Sequence, residues 1–166
     1  MIRWSLRAVV ALLAIAAVIV PLAAAPGDLV VFLVRHAEKA ETGADPQLSP
    51  AGEKRAADLA AILRDSGIEH VHSSDTVRTR STAAPIASKL GLEVELYDPR
   101  DLPALIARLR AAGGRHLVVG HSNTVPATVE LLGGEPGAAI EEMEYDRLSI
   151  VTTGPGGAVS TVLLRY

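Results

Sequence analysis

The 166-residue chain contains no cysteine, and this absence excludes disulfide bonds, thiolate metal sites and cysteine nucleophiles. Aromatic residues make up only 3% of the chain, whereas hydrophobic residues make up 49%. A core must therefore be built from Ala, Val, Leu and Ile, which suits helices packed on a sheet. The length is sufficient for one domain with a full core.

Positive charge is also in the minority, because 16 Lys and Arg residues stand against 19 Asp and Glu residues. The formal net charge is −3. Proteins that bind nucleic acids through the phosphate backbone carry a surplus of positive charge. We therefore expect no nucleic-acid partner, and a local cluster of Arg and His in this acidic chain becomes a candidate binding site.

The first 25 residues have the pattern of a secretory signal peptide. Arg3 and Arg7 precede an unbroken apolar run over residues 8–20, and small residues follow at 23–25. The run is shorter than the roughly 20 residues that span a membrane. We expect export to the periplasm or the extracellular space, with the folded domain at residues 26–166. Because Pro26 would directly follow the cleavage position, an uncleaved anchor in the inner membrane, with the domain facing outward, is the alternative.

Short apolar strands alternate with helices over the rest of the chain. Polar capping residues mark three helix starts, at Ser49, Thr76 and Asp101, and a glycine-rich turn joins the last two strands. Strands are predicted at residues 30–34, 68–72, 92–96, 116–120, 147–153 and 158–164. The pattern predicts an α/β fold, a three-layer sandwich with a mostly parallel sheet, helices on both faces and an antiparallel edge.

Charged and polar side chains follow three of these strands. Arg35 and His36 end the first, Arg78 comes shortly after the second, and His121 directly follows the fourth. Ligands of open α/β sheets lie outside the carboxyl ends of the strands, so these residues should converge. Guanidinium groups match phosphate oxygens, and a neutral histidine is a competent nucleophile. The sequence therefore predicts a phosphoryl pocket.

Four motifs occur in order along the chain: Leu33-Val34-Arg35-His36-Ala37-Glu38, Leu48-Ser49-x-x-Gly52, Ser73-Ser74-Asp75-Thr76-Val77-Arg78-Thr79-x-x-Thr82-Ala83 and Val118-Val119-Gly120-His121-Ser122. Together they resemble the histidine phosphatase superfamily, also called phosphoglycerate-mutase-like, over residues 29–166. The resemblance implies that His36 is the nucleophile and forms a phosphohistidine that water then hydrolyses. It implies further that Arg35 and Arg78 clamp the phosphoryl group and that His121 stabilises the transition state.

The chain departs from the family pattern in ways that narrow the branch. Ala37 stands where the family usually has glycine. Glu38 and Lys39 replace the Arg-His-Gly-x-Arg-x-Pro continuation of the phytase and acid phosphatase branch, which is therefore disfavoured. The chain more closely resembles small, SixA-like members of the mutase branch, whose relatives include phosphohistidine phosphatases.

The proton donor is the least defined part of the predicted site. Many mutase-branch members carry a Glu in a Leu-x-Glu motif, and the nearest match here is Leu96-Tyr97-Asp98. Asp98 is therefore the candidate general acid, although its side chain is one methylene shorter than Glu. Glu38 is the alternative, either as the acid or as a group that orients a ring nitrogen.

His70 and His72 share one face of a strand, and a zinc site could use them with His36 or Glu38. The family needs no metal, so we expect neither metal nor cofactor. The sequence thus predicts a metal-independent phosphomonoesterase, acting on a small-molecule or envelope phosphoester or a phosphosugar outside the cytoplasm. The alternative is a non-catalytic phosphate-binding module of the same fold.

Overall fold

A computed structural model describes residues 28–41 and 43–166. The predicted signal peptide at residues 1–25 lies outside these ranges. Among the residues that are described, no helix is both long enough and apolar enough to cross a lipid bilayer.

Six strands form one sheet in the order β3-β2-β4-β1-β5-β6. Neighbours among β1 to β4 pair in parallel, whereas β5 and β6 add an antiparallel edge next to β1. This arrangement confirms the predicted sheet. The strands are β1 (Leu29–Arg35), β2 (His70–Ser74), β3 (Val94–Tyr97), β4 (Gly114–Gly120), β5 (Arg147–Thr153) and β6 (Val159–Arg165).

Four helices cover the sheet: α1 (Pro50–Ile62), α2 (Val77–Leu90), α3 (Leu102–Ala112) and α4 (Thr124–Leu131). Side chains of α1 and α2, such as Leu59 and Ile86, share a core with Leu117 of β4. Side chains of α3 and α4, such as Leu105 and Val129, belong to a second core. Because consecutive residues of a strand point to opposite faces, the two cores lie on opposite sides of the sheet and form the predicted three layers.

The helices begin where the sequence places capping side chains. The Ser49 hydroxyl accepts from the backbone N–H of Gly52 at 3.2 Å, and Thr76 caps α2 by accepting from the backbone N–H of Thr79. Asp101 accepts from the backbone N–H of Ala104 at 3.1 Å. These bonds satisfy N–H groups that have no partner inside the helix. The three predicted caps are confirmed.

Two strands begin two residues later than the sequence predicts, whereas β4 begins two residues earlier, at Gly114. Strand β2 covers His70–Ser74 rather than 68–72, and β3 covers Val94–Tyr97 rather than 92–96. Ser73 and Ser74 were expected beyond the strand because they are polar, yet both are completely buried in it. Their hydroxyls donate to the Ser74 carbonyl at 2.9 Å and to Thr79 Oγ1 at 3.1 Å. Pairing with both neighbouring strands and these bonds outweigh the low strand propensity of serine.

A stack of histidines lies where β2 meets β4. His116 Nε2 donates to the Gly113 carbonyl at 2.7 Å, so its neutral ring accepts at Nδ1, and His72 Nε2 must donate to that atom across 3.0 Å. His72 Nδ1 is left buried and without a hydrogen-bond partner. His70 stacks on His116 with ring centroids 4.8 Å apart and bonds Glu95 at 2.9 Å. His70 and His72 therefore contact His116 and Glu95 rather than His36 or Glu38.

Because His72 is buried as a neutral ring in this stack, we expect the protein to lose stability in acid. Burial, partly opposed by Glu95, lowers the pKa of His72 to about 4 from 6.5. Between these two pH values the unfolded chain therefore binds more protons than the folded protein. The contribution of neutral His72 to the free energy of unfolding is complete above pH 6.5 and is lost as the pH falls toward 4.

We expect His72→Gln, which keeps an N–H donor for His116, to reduce the acid-induced loss in unfolding free energy by on the order of 2 kcal/mol. Urea denaturation between pH 7.5 and 4 measures the difference. An equal loss in both proteins would show that His72 does not titrate in this way.

Candidate active site

The backbone that follows β1 is tied to two other elements. The His36 N–H donates to the Gly120 carbonyl at the end of β4, at 2.9 Å. The Ala37 N–H donates to Thr82 Oγ1 on α2, also at 2.9 Å, and Thr82 in turn donates to the Arg78 carbonyl at 2.8 Å. The segment that carries His36 is therefore fixed relative to β4 and to the first turns of α2.

The imidazole of His36 is buried and held in one tautomer. Its Nδ1 lies 2.8 Å from the Ala37 carbonyl, and because a carbonyl only accepts, Nδ1 carries the proton and Nε2 keeps its lone pair. Burial lowers the pKa of His36 to about 4; the hydrogen bond to the Ala37 carbonyl opposes this effect, and Arg35, Arg78 and His121 add to it. At neutral pH the ring is uncharged, with one basic nitrogen.

Arg35 is buried and anchored by the segment before β5. Its Nη1 lies 2.8 Å from the carbonyls of Glu141 and Glu142 and 3.1 Å from that of Glu144. Its guanidinium carbon lies 4.2 Å from the centre of the Tyr145 ring. Its Nε is buried and has no hydrogen-bond partner. Arg35 is thus a cation held in a fixed position, and its Nε–H group is not used in a hydrogen bond within the described part of the chain.

Arg78 lies in the first turn of α2 and is oriented by Asp45. Its Nη1 lies 3.2 Å from Asp45 Oδ1, and the same carboxylate accepts from the Val77 N–H at 3.0 Å. An acidic group at a helix N-terminus is favourable. The loop between β1 and α1 therefore positions a cation that belongs to α2.

His121 directly follows β4, and its backbone N–H donates to Thr124 Oγ1 at 2.9 Å. Its Nε2 and Ser74 Oγ, on β2, lie 2.8 Å apart and share a hydrogen bond. The His121 and His36 ring centroids are 5.5 Å apart. Burial, then Arg78 and Arg35, lowers the pKa of His121 below its ordinary value.

These four side chains line one cavity of about 370 Å³. The structure thus brings together Arg35, His36, Arg78 and His121, the residues that the sequence predicted to converge. The remaining lining residues are Lys39, Thr76, Ser122, Asn123 and Glu142. Fixed cations around a basic nitrogen can bind a phosphoryl group and stabilise charge on its oxygens.

The structure does not bring Asp98 into this cavity. Asp98 lines a neighbouring cavity of about 490 Å³ next to Arg100. It is exposed, and both its oxygens lie 3.0 Å from the Arg100 guanidinium, whose hydrogen bonds lower the pKa of Asp98. The reason is topological, because Asp98 follows β3, which is the outer strand and lies three positions from β1.

Glu38 is also directed elsewhere. Its carboxylate accepts from the Arg55 guanidinium on α1 at 2.8 to 2.9 Å. Although burial acts to raise the pKa of Glu38, the hydrogen bonds and charge of Arg55 hold it below its ordinary value. Its backbone carbonyl also accepts from the Ser49 N–H at 2.9 Å. In this structure Glu38 connects the β1 loop to α1 and does not line the His36 cavity.

Several residues of the site were missed by sequence reasoning. Ser74 and Thr82 fall inside a quoted motif, but their hydrogen bonds to the other segments were not visible there. Asp45 lies in a loop with no motif. Glu142 and Tyr145 lie between α4 and β5, where the sequence shows only a run of acidic residues. No local signal connects that run to His36.

A family model described as "Histidine phosphatase superfamily (branch 1)" matches residues 31–99 of the chain. This range includes Arg35, His36 and Arg78, which line the cavity. This match supports membership of the chain in the histidine phosphatase superfamily.

Curated relatives match over part of the chain. The protein named "Probable phosphoglycerate mutase GpmB" of Escherichia fergusonii is 39% identical over 79 residues, which cover 43% of this chain and 36% of that protein. The protein of the same name from Erwinia tasmaniensis is 42% identical over 79 residues, which again cover 43% of this chain and 36% of that protein. The matched region thus spans little more than a third of the length of these curated relatives.

Solved structures match over most of the chain. The protein histidine phosphatase SixA, complexed with tungstate, has a TM-score of 0.67 at 22% identity and covers 82% of this chain and 97% of its own. A mycobacterial glucosyl-3-phosphoglycerate phosphatase has a TM-score of 0.65 at 16% identity and covers 84% of this chain and 98% of its own. At these identities the likeness confirms the fold.

The geometry of His36 predicts an acidic titration. We expect its ring to titrate with a midpoint near pH 4. NMR spectra of histidine-labelled protein, recorded over a range of pH, measure this midpoint. Removing a positive charge by Arg78→Gln should raise the midpoint, because the imidazolium is then less strongly repelled. Arg80→Gln, an exposed change on the same helix, should leave it unchanged. A midpoint near 6.5 would contradict the buried, neutral ring.

The bond between Ala37 and Thr82 predicts a stability effect. Thr82→Val keeps the shape of the side chain but leaves the Ala37 N–H buried without an acceptor. We expect the free energy of unfolding to fall by about 1–3 kcal/mol, whereas Thr82→Ser should lose much less because it keeps the hydroxyl. Urea denaturation distinguishes the two variants, and a fully stable Thr82→Val would disprove the role assigned to this bond.

Proposed function

We propose that this chain is a metal-independent phosphomonoesterase of the histidine phosphatase superfamily and forms a phosphohistidine on His36. The observation that carries the proposal is the unprotonated Nε2 of a buried, neutral His36 in a cavity lined by Arg35, Arg78 and His121. Phosphoryl transfer requires mainly positioning and charge stabilisation from a protein, and this cavity supplies both.

The reaction follows from the roles of these side chains. Arg35 and Arg78 bind the phosphoryl oxygens, and His36 Nε2 attacks phosphorus as the ester P–O bond breaks and the alcohol leaves with a proton. Water then attacks phosphorus and gives up a proton, which replaces the one that the alcohol took. The P–N bond breaks, and its electron pair returns to Nε2. His121, 5.5 Å from His36 between ring centroids, stabilises the charge that develops on the equatorial oxygens.

We propose an extracytoplasmic substrate, either a phosphosugar or another small or envelope phosphoester. The support is the signal-peptide pattern at residues 1–25. Two proteins of similar structure are named as phosphatases, the protein histidine phosphatase SixA and a mycobacterial glucosyl-3-phosphoglycerate phosphatase. Phosphoglycerate mutase activity, as in the name of the curated relatives, is disfavoured for an exported enzyme because it would not meet glycolytic phosphoglycerates.

One observation favours a second candidate, a non-catalytic phosphate-binding module. Neither Asp98 nor Glu38 lines the cavity, so the two proton donors considered from the sequence are both absent from it. Such a module would bind inorganic phosphate through Arg35 and Arg78 and would release no alcohol.

The test is turnover of an aryl phosphate by the full chain in the presence of EDTA. We expect steady hydrolysis that His36→Ala lowers by more than about 1,000-fold, because the nucleophile is lost. His70→Gln, a histidine change outside the cavity, should retain activity. Rapid quenching with a labelled phosphoester should trap an acid-labile, alkali-stable label on His36.

Three results would contradict this proposal. Turnover that survives His36→Ala would exclude the covalent route. Turnover that EDTA abolishes and zinc restores would indicate a metal enzyme. Phosphate binding without any turnover would favour the binding module.

A further inference from the structure

Glu142 is the only carboxylate among the described residues that line the His36 cavity. It lies in the segment between α4 and β5, which the sequence analysis did not connect to the site. Its backbone is fixed, since its carbonyl lies 2.8 Å from Arg35 Nη1. Its side chain is 71% exposed. The backbone of Glu142 is therefore fixed, whereas its carboxylate reaches solvent at the mouth of the cavity.

The Glu142 carboxylate contacts the cations that a phosphoryl group would use. Its Oε2 lies 3.5 Å from Arg35 Nη2, and its Oε1 lies 3.6 Å from Lys39 Nζ. Both distances exceed those of a strong charged hydrogen bond. These contacts orient the Glu142 carboxylate but leave its oxygens able to form hydrogen bonds to a ligand. The Glu38 carboxylate, in contrast, is held by three hydrogen bonds from Arg55.

Binding of a phosphoryl dianion changes the surroundings of this carboxylate. A dianion bound to Arg35 and Lys39 would lie beside the carboxylate that contacts the same two cations, so two negative groups would be neighbours. Like charges at short range favour the uncharged form of one partner. Glu142 is the one carboxyl group among the described lining residues that could exchange a proton with a phosphoester bound in the cavity.

We propose that Glu142 is the general acid, and then the general base, of the phosphatase reaction. While His36 Nε2 forms its bond to phosphorus, the P–O bond breaks and its electron pair takes the proton of the Glu142 carboxylic acid, so the alcohol leaves neutral. The resulting carboxylate then accepts a proton from the attacking water as the P–N bond breaks. Phosphate leaves, and Glu142 is again protonated. This proposal rests on the function proposed above.

The two steps make different demands, and this difference gives the test. A poor leaving group needs the proton in the first step, whereas nitrophenolate departs without one. The second step is the same for every substrate. The experiment compares wild type, Glu142→Gln and the matched control Glu135→Gln, an exposed glutamate in the same α4–β5 segment that does not line the cavity. The substrates are nitrophenyl phosphate and an alkyl phosphate.

For Glu142→Gln we expect kcat/KM on the alkyl phosphate to fall about 100-fold or more, the usual contribution of a general acid. Its kcat/KM on nitrophenyl phosphate should stay within about 5-fold of wild type, since that leaving group needs no acid. The same variant should release one burst of nitrophenol per active site and then turn over slowly, as phosphohistidine accumulates. Inorganic phosphate should inhibit it at least as strongly as wild type, because a competing carboxylate is gone. Glu135→Gln should behave as wild type.

Two results would overturn the role of Glu142. An equal loss on both substrates without a burst would mean that Glu142 only holds Arg35 and Lys39 in position. Unchanged kcat/KM on the alkyl phosphate would mean that it takes no part in proton transfer. In both cases wild type still hydrolyses both substrates through His36, so the proposed function stands. Failure of the wild type to hydrolyse either substrate would instead refute the function and this inference together.

Discussion

The hydrogen bond from the His36 N–H to the Gly120 carbonyl, 2.9 Å long, is the contact on which the cavity depends. It continues the parallel pairing of β1 with β4, in which Arg35 lies opposite Gly120. Because the two strands end at the same level, the residues that follow them, His36 and His121, come within 5.5 Å of each other between ring centroids. The site is thus a direct product of strand register.

Glycine is required at two points around this contact. A Cβ at position 120 would lie 2.7 Å from Thr124 Oγ1, the atom that accepts from the His121 N–H. A Cβ at Gly52, in the first turn of α1, would collide with the Glu38 carbonyl. Both glycines therefore serve close packing of backbone around the loop that carries His36, and both belong to motifs visible in the sequence.

The cavity gathers positive charge before any ligand is present. Arg35, Arg78 and His121 each act to lower the pKa of His36, after the larger effect of burial. Backbone carbonyls hold Arg35, and Asp45 holds Arg78, so the cations do not have to be reorganised when an anion binds. Such preorganisation lowers the cost of stabilising charge in a transition state. It also keeps the His36 lone pair free at neutral pH.

The sequence by itself determined the alternation of strands and helices, the helix caps at Ser49, Thr76 and Asp101, and the convergence of Arg35, His36, Arg78 and His121. These follow from local periodicity, capping chemistry and the rule that parallel strands present their ends at one edge. Tertiary structure alone decided which carboxylate reaches the cavity. Asp98 follows the outer strand and Glu38 is held by Arg55, whereas Glu142 arrives from a segment 106 residues beyond His36 in the chain, because the buried Arg35 guanidinium binds its backbone. A contact of that range leaves no periodicity or spacing for a sequence to display.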